Sequence, residues 1–414
     1  MLPVVRYAPS PTGIPHIGNI RTALFNFLFA RNKGGTFILR IEDTDQKRLV
    51  PDSIGAIKKS LAALSIKWDN YYQQSQRLPI YAEHLEILKK KNLVYEAEGA
   101  WCFKVPKGKL IAWQDLVHGA IKFSADVIED FVIVKSDGFP TYHFASVVDD
   151  HEMGITHVIR GDEWISSTPK HLLLYQAFLW PPPMFVHTPP ILGPDKKKLS
   201  KRQGAKSILE YLDSGYLPEA LVNFMALLGW SPKSDKELFN LDDLIREFSL
   251  ARLNKNSPIF NIEKLNWFNK KYLAGYKTSI LAQRIKGFSK LAKNLTEPKL
   301  VAITELIRDR ITTLADFDRV AAVFFVKGDK KPPAYEKIKN AKEAVESIAK
   351  WDLSTISQEL NEWVLKKKLD LADFKNTLRL AVFADNTPPI YASLAVLDKD
   401  EVLRRITDAL KKAK

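Results

Sequence analysis

At 414 residues the chain exceeds one ordinary domain, and its 46% hydrophobic content is enough to bury a core. No run of 18 or more apolar residues occurs, so no membrane span is expected. The formal net charge of +14 points to a polyanion, nucleic acid first of all, with solubility alone as the plainer reading.

Cys102 is the only cysteine, which excludes disulfides within the chain and any cysteine-rich zinc site. A reducing, cytoplasmic setting follows from that usage. The opening MLPVVRYAPS lacks a basic stretch followed by an apolar run, so no signal peptide is expected.

The first elements read as strand, turn, helix, strand. LPVVRYA is a short run rich in β-branched residues, and SPTGIPHIGN (Ser10–Asn19) breaks it. From Ile17, residues Ile20, Leu24, Phe27, Leu28 and Arg31 fall at helical spacing, and Gly34-Gly35 supplies a left-handed cap. TFILRI is then a strand apolar enough for burial on both faces, which completes a βαβ unit and begins a parallel sheet. DFVIVKS and THVIR predict later strands, each followed by a helix. Pro181-Pro182-Pro183, Pro189-Pro190 and SPKSDKE (Ser231–Glu237) mark loops. From about Leu241 strand signals fade and amphipathic helices take over. In YEKIKNAKEAVESIAKW, Ile338, Ala341, Val345 and Ile348 share one face. KGDKKPPA (Lys327–Ala334) reads as a connector, and no internal repeat is present.

The crowded turn at Ser10–Asn19 lies where ligands of open α/β sheets sit, at the carboxyl edge of parallel strands. Glycine permits close approach, proline fixes the bend, and the helix start presents bare N–H groups and partial positive charge. The turn lacks the Gly-Lys-Ser/Thr ending of a P-loop and is not GxGxxG. His16 and Asn19 stand about one helical turn apart and can face one ligand; a histidine capping its own helix is the rival reading. DKKKLSKRQGA (Asp195–Ala205) is a basic, turn-like segment whose ammonium groups can close over a polyphosphate, or simply be solvated. Arg6 and Glu42 each end a strand on the same sheet edge. Together they can read a zwitterion, or form a structural salt bridge. Asp149-Asp150 suggests a metal pair less than it suggests a helix start or a salt-bridge partner.

These residues carry a resemblance. PHIGN, with Asn19 at the fourth signature position, resembles the HIGH signature of class I aminoacyl-tRNA synthetases. Lys198-Leu199-Ser200-Lys201-Arg202 resembles their KMSKS loop. APSPTGIPHIGNIRTALFNFLFARNKGGTFILRIEDTD is similar, nearly unbroken from Arg6 to Asp45, to the bacterial-type glutamyl-tRNA synthetase family, and the likeness extends over nearly the whole chain. GFPTYHFASVVDDHEMGITHVIRGDEW resembles its second glutamate-binding segment. The resemblance implies catalytic roles for His16 and Lys201. It implies ATP contacts from His16, Asn19, Glu163, Leu192, Lys198, Leu199, Ser200, Lys201 and Arg202, and glutamate contacts from Arg6, Ala8, Ser10, Glu42, Tyr142, Ser146 and Arg160. Ser146 stands where thermophilic members carry asparagine.

The implied fold is a Rossmann-like parallel-sheet catalytic domain, α/β, with a reduced insert, followed by an all-helical anticodon-binding region. Residues 1–73 and 141–188 form the catalytic halves, 74–140 the connective insert, 189–277 the KMSKS and stem-contact part, and 278–414 the anticodon domain. Between NLVYEAEG and DFVIVKS the chain is much shorter than the family pattern, so acceptor-end contacts are expected to be rearranged, with Trp101, Trp113, Lys104, Lys107 and Lys109 as candidates beside ordinary packing. Arg252, Lys255, Trp351 and Trp363 are candidates for tRNA contact further on. The implied reaction is ATP-dependent activation of L-glutamate, needing tRNA present, then transfer to tRNA(Glu). ATP comes with Mg2+, no zinc or other protein-held metal is expected, and the protein is expected to be a monomer. Alternatives are a form that also charges tRNA(Gln), a non-catalytic tRNA-binding paralogue, and a nucleotidyltransferase that never meets tRNA.

Overall fold

The computed structural model describes residues 2–199, 206–326, 330–385 and 388–414. The chain begins with β1 (Val4–Tyr7), whose parallel partner is β2 (Thr36–Ile41), Arg6 opposite Ile38. A parallel pair needs a crossover, and α1 (Ile17–Lys33) provides it. Ile20, Leu24, Phe27 and Leu28 are buried as the spacing requires. Arg31 instead leaves the core and forks the Asp69 carboxylate at 2.8 and 2.9 Å. Gly34 closes the helix at φ 65°, a left-handed conformation that costs glycine least.

Gly35 is required for a different reason. A Cβ there would lie 2.1 Å from the Pro3 carbonyl oxygen, which accepts from Thr36 at 2.9 Å as β2 begins. Gly35→Ala is therefore expected to lower stability by about 1–3 kcal/mol, as overpacking against backbone does, measured by urea denaturation.

α2 (Ser53–Ala63) leads to β3 (Asn70–Gln73), which pairs in parallel with β2. Next come α3 (Leu78–Lys90), β4 (Val94–Ala97), β5 (Ala100–Phe103), β6 (Leu110–Asp115), β7 (Gly119–Ser124) and β8 (Phe131–Val134). β4, β5 and β8 form an antiparallel sheet, and β6 and β7 a hairpin. Four of the side chains considered for acceptor contact here, Trp101, Trp113, Lys104 and Lys107, have local partners. Trp101 lies under the Lys89 ammonium at 3.9 Å, Trp113 stacks on Phe123, and Lys107 bonds the Ile128 carbonyl at 2.6 Å.

α4 (Tyr142–Glu152) precedes β9 (His157–Gly161), and α5 (Thr168–Phe178) precedes β10 (Met184–Thr188). β9 and β10 are parallel, with Arg160 opposite His187, and β10 pairs in parallel with β6, Phe185 opposite Asp115. Thr156, just before β9, bonds both backbone groups of Val4 at 2.9 and 3.0 Å, so β9 continues the layer alongside β1. The carboxyl ends of β1, β2, β9 and β10 thus share one edge.

The chain divides into two compact units, Met1–Asp213 with Pro218–Phe268, and Ser214–Leu217 with Asn269–Lys414. In the first, α1 is clamped from behind. Phe25 packs on Phe248, Arg21 donates to the Leu228 and Pro189 carbonyls, and Asn32 to those of Ile245 and Arg246. In the second unit the described elements are helical. Tyr335–Glu346 buries Ile338, Ala341 and Val345 on the face that the spacing predicts, with Ile348 buried just beyond. Arg405, in Lys399–Ala413, is buried and donates to Glu401 and to the Val323 and Phe324 carbonyls. Trp351 is committed to the Leu397 carbonyl at 2.7 Å, and Trp363 packs on Phe374. The expected connector at Lys327–Ala334 has no helix or strand at its described residues 330–334; its first part lies outside the described residues.

Candidate active site

A cavity of about 810 Å³ opens at the shared strand edge. Arg6, Ala8, Ser10, His16, Asn19, Glu42, Tyr142, Arg160 and Glu163 all line it. A smaller adjoining cleft of about 60 Å³ brings Lys198 and Leu199 beside His16, Asn19 and Glu163. Lys198 Nζ lies 3.8 Å from a Glu163 carboxylate oxygen. His16 also pairs with Ser207 in an isolated antiparallel bridge. Ser200, Lys201 and Arg202 lie outside the described residues. The described neighbours on either side, Leu199 and Ser207, both adjoin His16.

Two of the expected contacts are placed elsewhere. Ser146 is fully buried, receives a hydrogen bond from Arg40 at 3.4 Å, and is not on the cavity wall. Leu192 spends both backbone groups on the 258–260 segment, donating to the Pro258 carbonyl and accepting from Phe260 at 2.8 Å each. Its side chain lines neither cavity.

His16 combines its two sequence readings. It caps α1: its Nδ1 accepts from the Gly18 amide at 3.0 Å, and Asn19 Oδ1 accepts from the His16 amide at 3.1 Å. This is a capping box built with histidine and asparagine. Because Nδ1 accepts, the proton of the neutral ring sits on Nε2, where it is a donor. Gly18 has to be glycine for this fit, since a Cβ there would lie 2.9 Å from His16 Cε1.

Behind the cavity lies a buried ionic network that sequence reading did not assemble. Arg40, fully buried in β2, donates to Glu42 at 2.9 Å and to Asp150 at 2.7 Å, and its Nε lies 3.8 Å from Asp149. Asp150 also accepts from Arg6 Nε at 3.0 Å, and Asp149 from Arg77 at 2.8 Å, Tyr81 at 2.8 Å and Gln74 at 2.9 Å. The two aspartates lie in the last turn of α4, so of the readings offered for Asp149-Asp150 the salt-bridge partner holds and the helix start does not. Burial opposes ionisation of Asp150, but the Arg6 and Arg40 guanidiniums outweigh it and hold the carboxyl below its usual range. Glu42 goes the other way. Burial pushes its carboxyl up despite Arg40 and Arg6.

The network balances: Arg6, Arg40 and Arg77 face Glu42, Asp149 and Asp150. Arg6 still has its Nη1 amino group, and Glu42 its Oε2, unbonded among the described residues. Arg160 stands outside that balance. It is buried at 5% exposure, and its hydrogen-bond partners among the described residues are all neutral. They are His187 at 3.1 Å, Tyr142 Oη at 3.1 Å, Thr168 at 2.8 Å, the Trp164 carbonyl at 3.3 Å and His171 at 3.5 Å. Burial, together with Lys170 and Arg160, lowers His143 to about 4; burial and Arg160 likewise hold His171 well below the usual range, so neither ring offers a charge. Tyr142 accepts from Arg160, which leaves its own O–H proton to donate onward.

Lys47, Arg48, Lys135 and Trp164 also reach the cavity, none singled out from sequence. Trp164 packs on Tyr142 at 4.3 Å. The legible signal was position, since Lys47 and Arg48 lie in the segment that leaves the strand end at Glu42. Among the described residues no cluster of three or more His, Cys, Asp or Glu could hold a metal ion.

The family model for the class I tRNA synthetase catalytic domain (E and Q) matches residues 4–101 and 96–267, and that for an anticodon binding domain matches 271–410. Glutamate–tRNA ligase of Dehalococcoides mccartyi is 38% identical over 470 aligned positions, covering 98% of this chain and 96% of that one. Those positions outnumber the chain's 414 residues, so the relative carries segments with no counterpart here. The Carboxydothermus hydrogenoformans ligase is 42% identical over 78% of this chain and 80% of its own length. A crystal structure of glutamate tRNA ligase from Elizabethkingia meningosepticum, in complex with its amino acid, superposes with a TM-score of 0.91 at 31% identity, each chain covered 100%. With its parallel strand edge, histidine-capped turn and helical second unit, the chain belongs to the glutamate–tRNA ligases, a family of class I aminoacyl-tRNA synthetases.

Proposed function

We propose that the chain joins L-glutamate to ATP as glutamyl-adenylate, with release of pyrophosphate, and passes the glutamyl group to the 3′ end of tRNA(Glu). The observation that carries the amino-acid choice is that Arg160, on the cavity wall, bonds only neutral groups among the described residues. The Arg6–Arg40–Arg77 network is already neutral with its three acids. A zwitterion adds no net charge to it, and Arg160, which bonds only neutral groups among the described residues and reaches Asp115 only through His187, favours one further negative group, the side-chain carboxylate of an acidic amino acid. Arg160 and the Tyr142 hydroxyl receive that carboxylate, and Glu42 takes the ammonium. The α-carboxylate is then left toward the His16 turn. Glutamine, neutral at its side chain, offers Arg160 no carboxylate and binds less well.

The attacking carboxylate is ionised at neutral pH, so no general base is needed; positioning and positive charge are. His16 Nε2–H is a fixed donor for a phosphate oxygen, Lys198 and Lys201 supply ammonium groups, and Lys47 and Arg48 stand at the rim. Magnesium belongs here with the polyphosphate of ATP, which would hold it through phosphate oxygens, as that ion usually prefers. Residues 278–414 take the anticodon role, their lysines making tRNA affinity fall with salt.

The test is aminoacylation of purified glutamate and glutamine tRNAs with labelled amino acids, alongside ATP–pyrophosphate exchange with and without tRNA. Charging of the glutamate tRNA with glutamate, and exchange only when tRNA is present, is expected. Failure to charge either tRNA overturns the proposal, and charging of both broadens it.

His16 separates architecture from chemistry. His16→Asn keeps a good N-cap but no imidazole, so stability should hold while adenylate formation slows by about 2–4 kcal/mol of barrier. His16→Ala should lose the cap as well, about 0.5–2 kcal/mol by thermal unfolding, with little change in tRNA affinity.

A further inference from the structure

Arg160 is oriented from beneath by two residues on the adjoining strands. β9, β10 and β6 lie side by side, and their register sets Arg160 next to His187 and brings Asp115 to the end of β6 beside it. Arg160 Nε donates to His187 Nε2 at 3.1 Å, and His187 Nδ1 meets Asp115 Oδ2 at 2.6 Å. Both His187 and Asp115 are buried, at 0% and 1% exposure, and neither lines the cavity. The hydrogen bonds leave one consistent proton arrangement. A guanidinium can only donate, so Nε2 must be the acceptor and the imidazole proton must sit on Nδ1, aimed at Asp115. We propose that Asp115 and His187 are positioning residues for glutamate: the carboxylate fixes the imidazole tautomer, and the imidazole lone pair fixes the edge of the Arg160 guanidinium that meets the substrate.

The surroundings agree. Burial lowers His187 and outweighs the Asp115 bond that raises it, which keeps the ring neutral and able to accept. Burial opposes the charge on Asp115, but the bonds from His187 and the His118 and Val117 amides exceed it and hold the carboxyl low. Asp115 divides its oxygens by task. Oδ1 accepts the amides of Val117 at 2.9 Å and His118 at 3.0 Å, and Oδ2 is kept for His187.

That division makes Asp115→Asn informative despite its near-identical shape. The two amides hold the oxygen at the Oδ1 position, so the new NH2 must face His187 Nδ1. Nδ1 must then accept, the proton moves to Nε2, and it points at the Arg160 N–H. The nearest other acceptor for that proton, Thr168 Oγ1 at 3.3 Å, already receives Arg160 Nη2 at 2.8 Å, so the guanidinium loses a contact either way. His187→Gln in the same chain returns a carbonyl oxygen that can accept from Arg160 whatever residue 115 carries.

This inference rests on the reading that Arg160 binds the substrate carboxylate, and the experiment separates the two. Steady-state charging of glutamate tRNA is measured for wild type, D115N, D115N with H187Q, and R160A. Asp115→Asn should raise the KM for glutamate roughly tenfold or more, the worth of one hydrogen bond to a charged group, with kcat and the KM for ATP near wild type. The double variant should recover most of that loss. If R160A raises the KM for glutamate and D115N does not, the positioning role is wrong and the pocket reading stands. If R160A leaves it unchanged, both fall. A readout independent of activity guards against misfolding: in the ¹⁵N-histidine spectrum of the wild-type protein, His187 should carry its proton on Nδ1, and a proton on Nε2 would overturn the proposal.

Discussion

Arg160→Ala is expected to raise the KM for glutamate by roughly a hundredfold or more while the KM for ATP stays near wild type. The size follows from burial. Arg160 is 5% exposed and bonded among the described residues to neutral acceptors, so a bound carboxylate meets a desolvated cation that no protein acid contacts directly. Losing one member of such a pair costs about 2–5 kcal/mol. Arg160→Lys should fall between wild type and alanine, because an ammonium keeps the charge but cannot donate at once toward His187, Tyr142 and Thr168. Initial rates of charging at varied glutamate decide the matter. Equal loss toward glutamate and ATP would point to a general collapse of the strand edge instead.

The second large effect is structural. Arg40→Met should lower folding stability by about 3–5 kcal/mol, seen as a fall in Tm and in the urea midpoint. Arg40 is fully buried and is the cation shared by Glu42, Asp149 and Asp150. A methionine of similar bulk fills the space and strands the acids. Arg6 and Arg77 compensate only part of that charge, through Asp150 and Asp149. A loss below about 1 kcal/mol would mean that water or rearrangement satisfies the acids. Removing Glu42 as well should recover some stability, because the two effects share a partner.

What could be read in the sequence, and what could not, follows from the range of the interactions. The β1–α1–β2 unit was legible because its signals are local: an apolar run, a capped helical period and a glycine stop. The turn around His16 was legible for the same reason, and its two readings turned out to be one arrangement. Arg6, Glu42 and Arg160 could be placed because strand ends of a parallel sheet share an edge. Arg40 was hidden inside TFILRI, where it reads as one polar residue in an apolar strand. Two of its three acids, Asp149 and Asp150, lie on a helix more than a hundred positions later, and no local pattern pairs them with it. Ser146 lies off the cavity wall for the same reason. Helical spacing puts it one turn from Tyr142, but Arg40, invisible from sequence, takes it into the network and off the cavity wall.

The ionic network also bears on how the protein is made. Arg6 finds Asp150 across 144 positions, and Arg40 reaches the same carboxylate across 110. A growing chain that has released only its first 42 residues therefore holds Arg6 and Arg40 with Glu42 as the one acid of their network. The N-terminal unit is therefore expected to close only after α4 has left the ribosome. The substrate pocket is thus assembled from segments translated far apart.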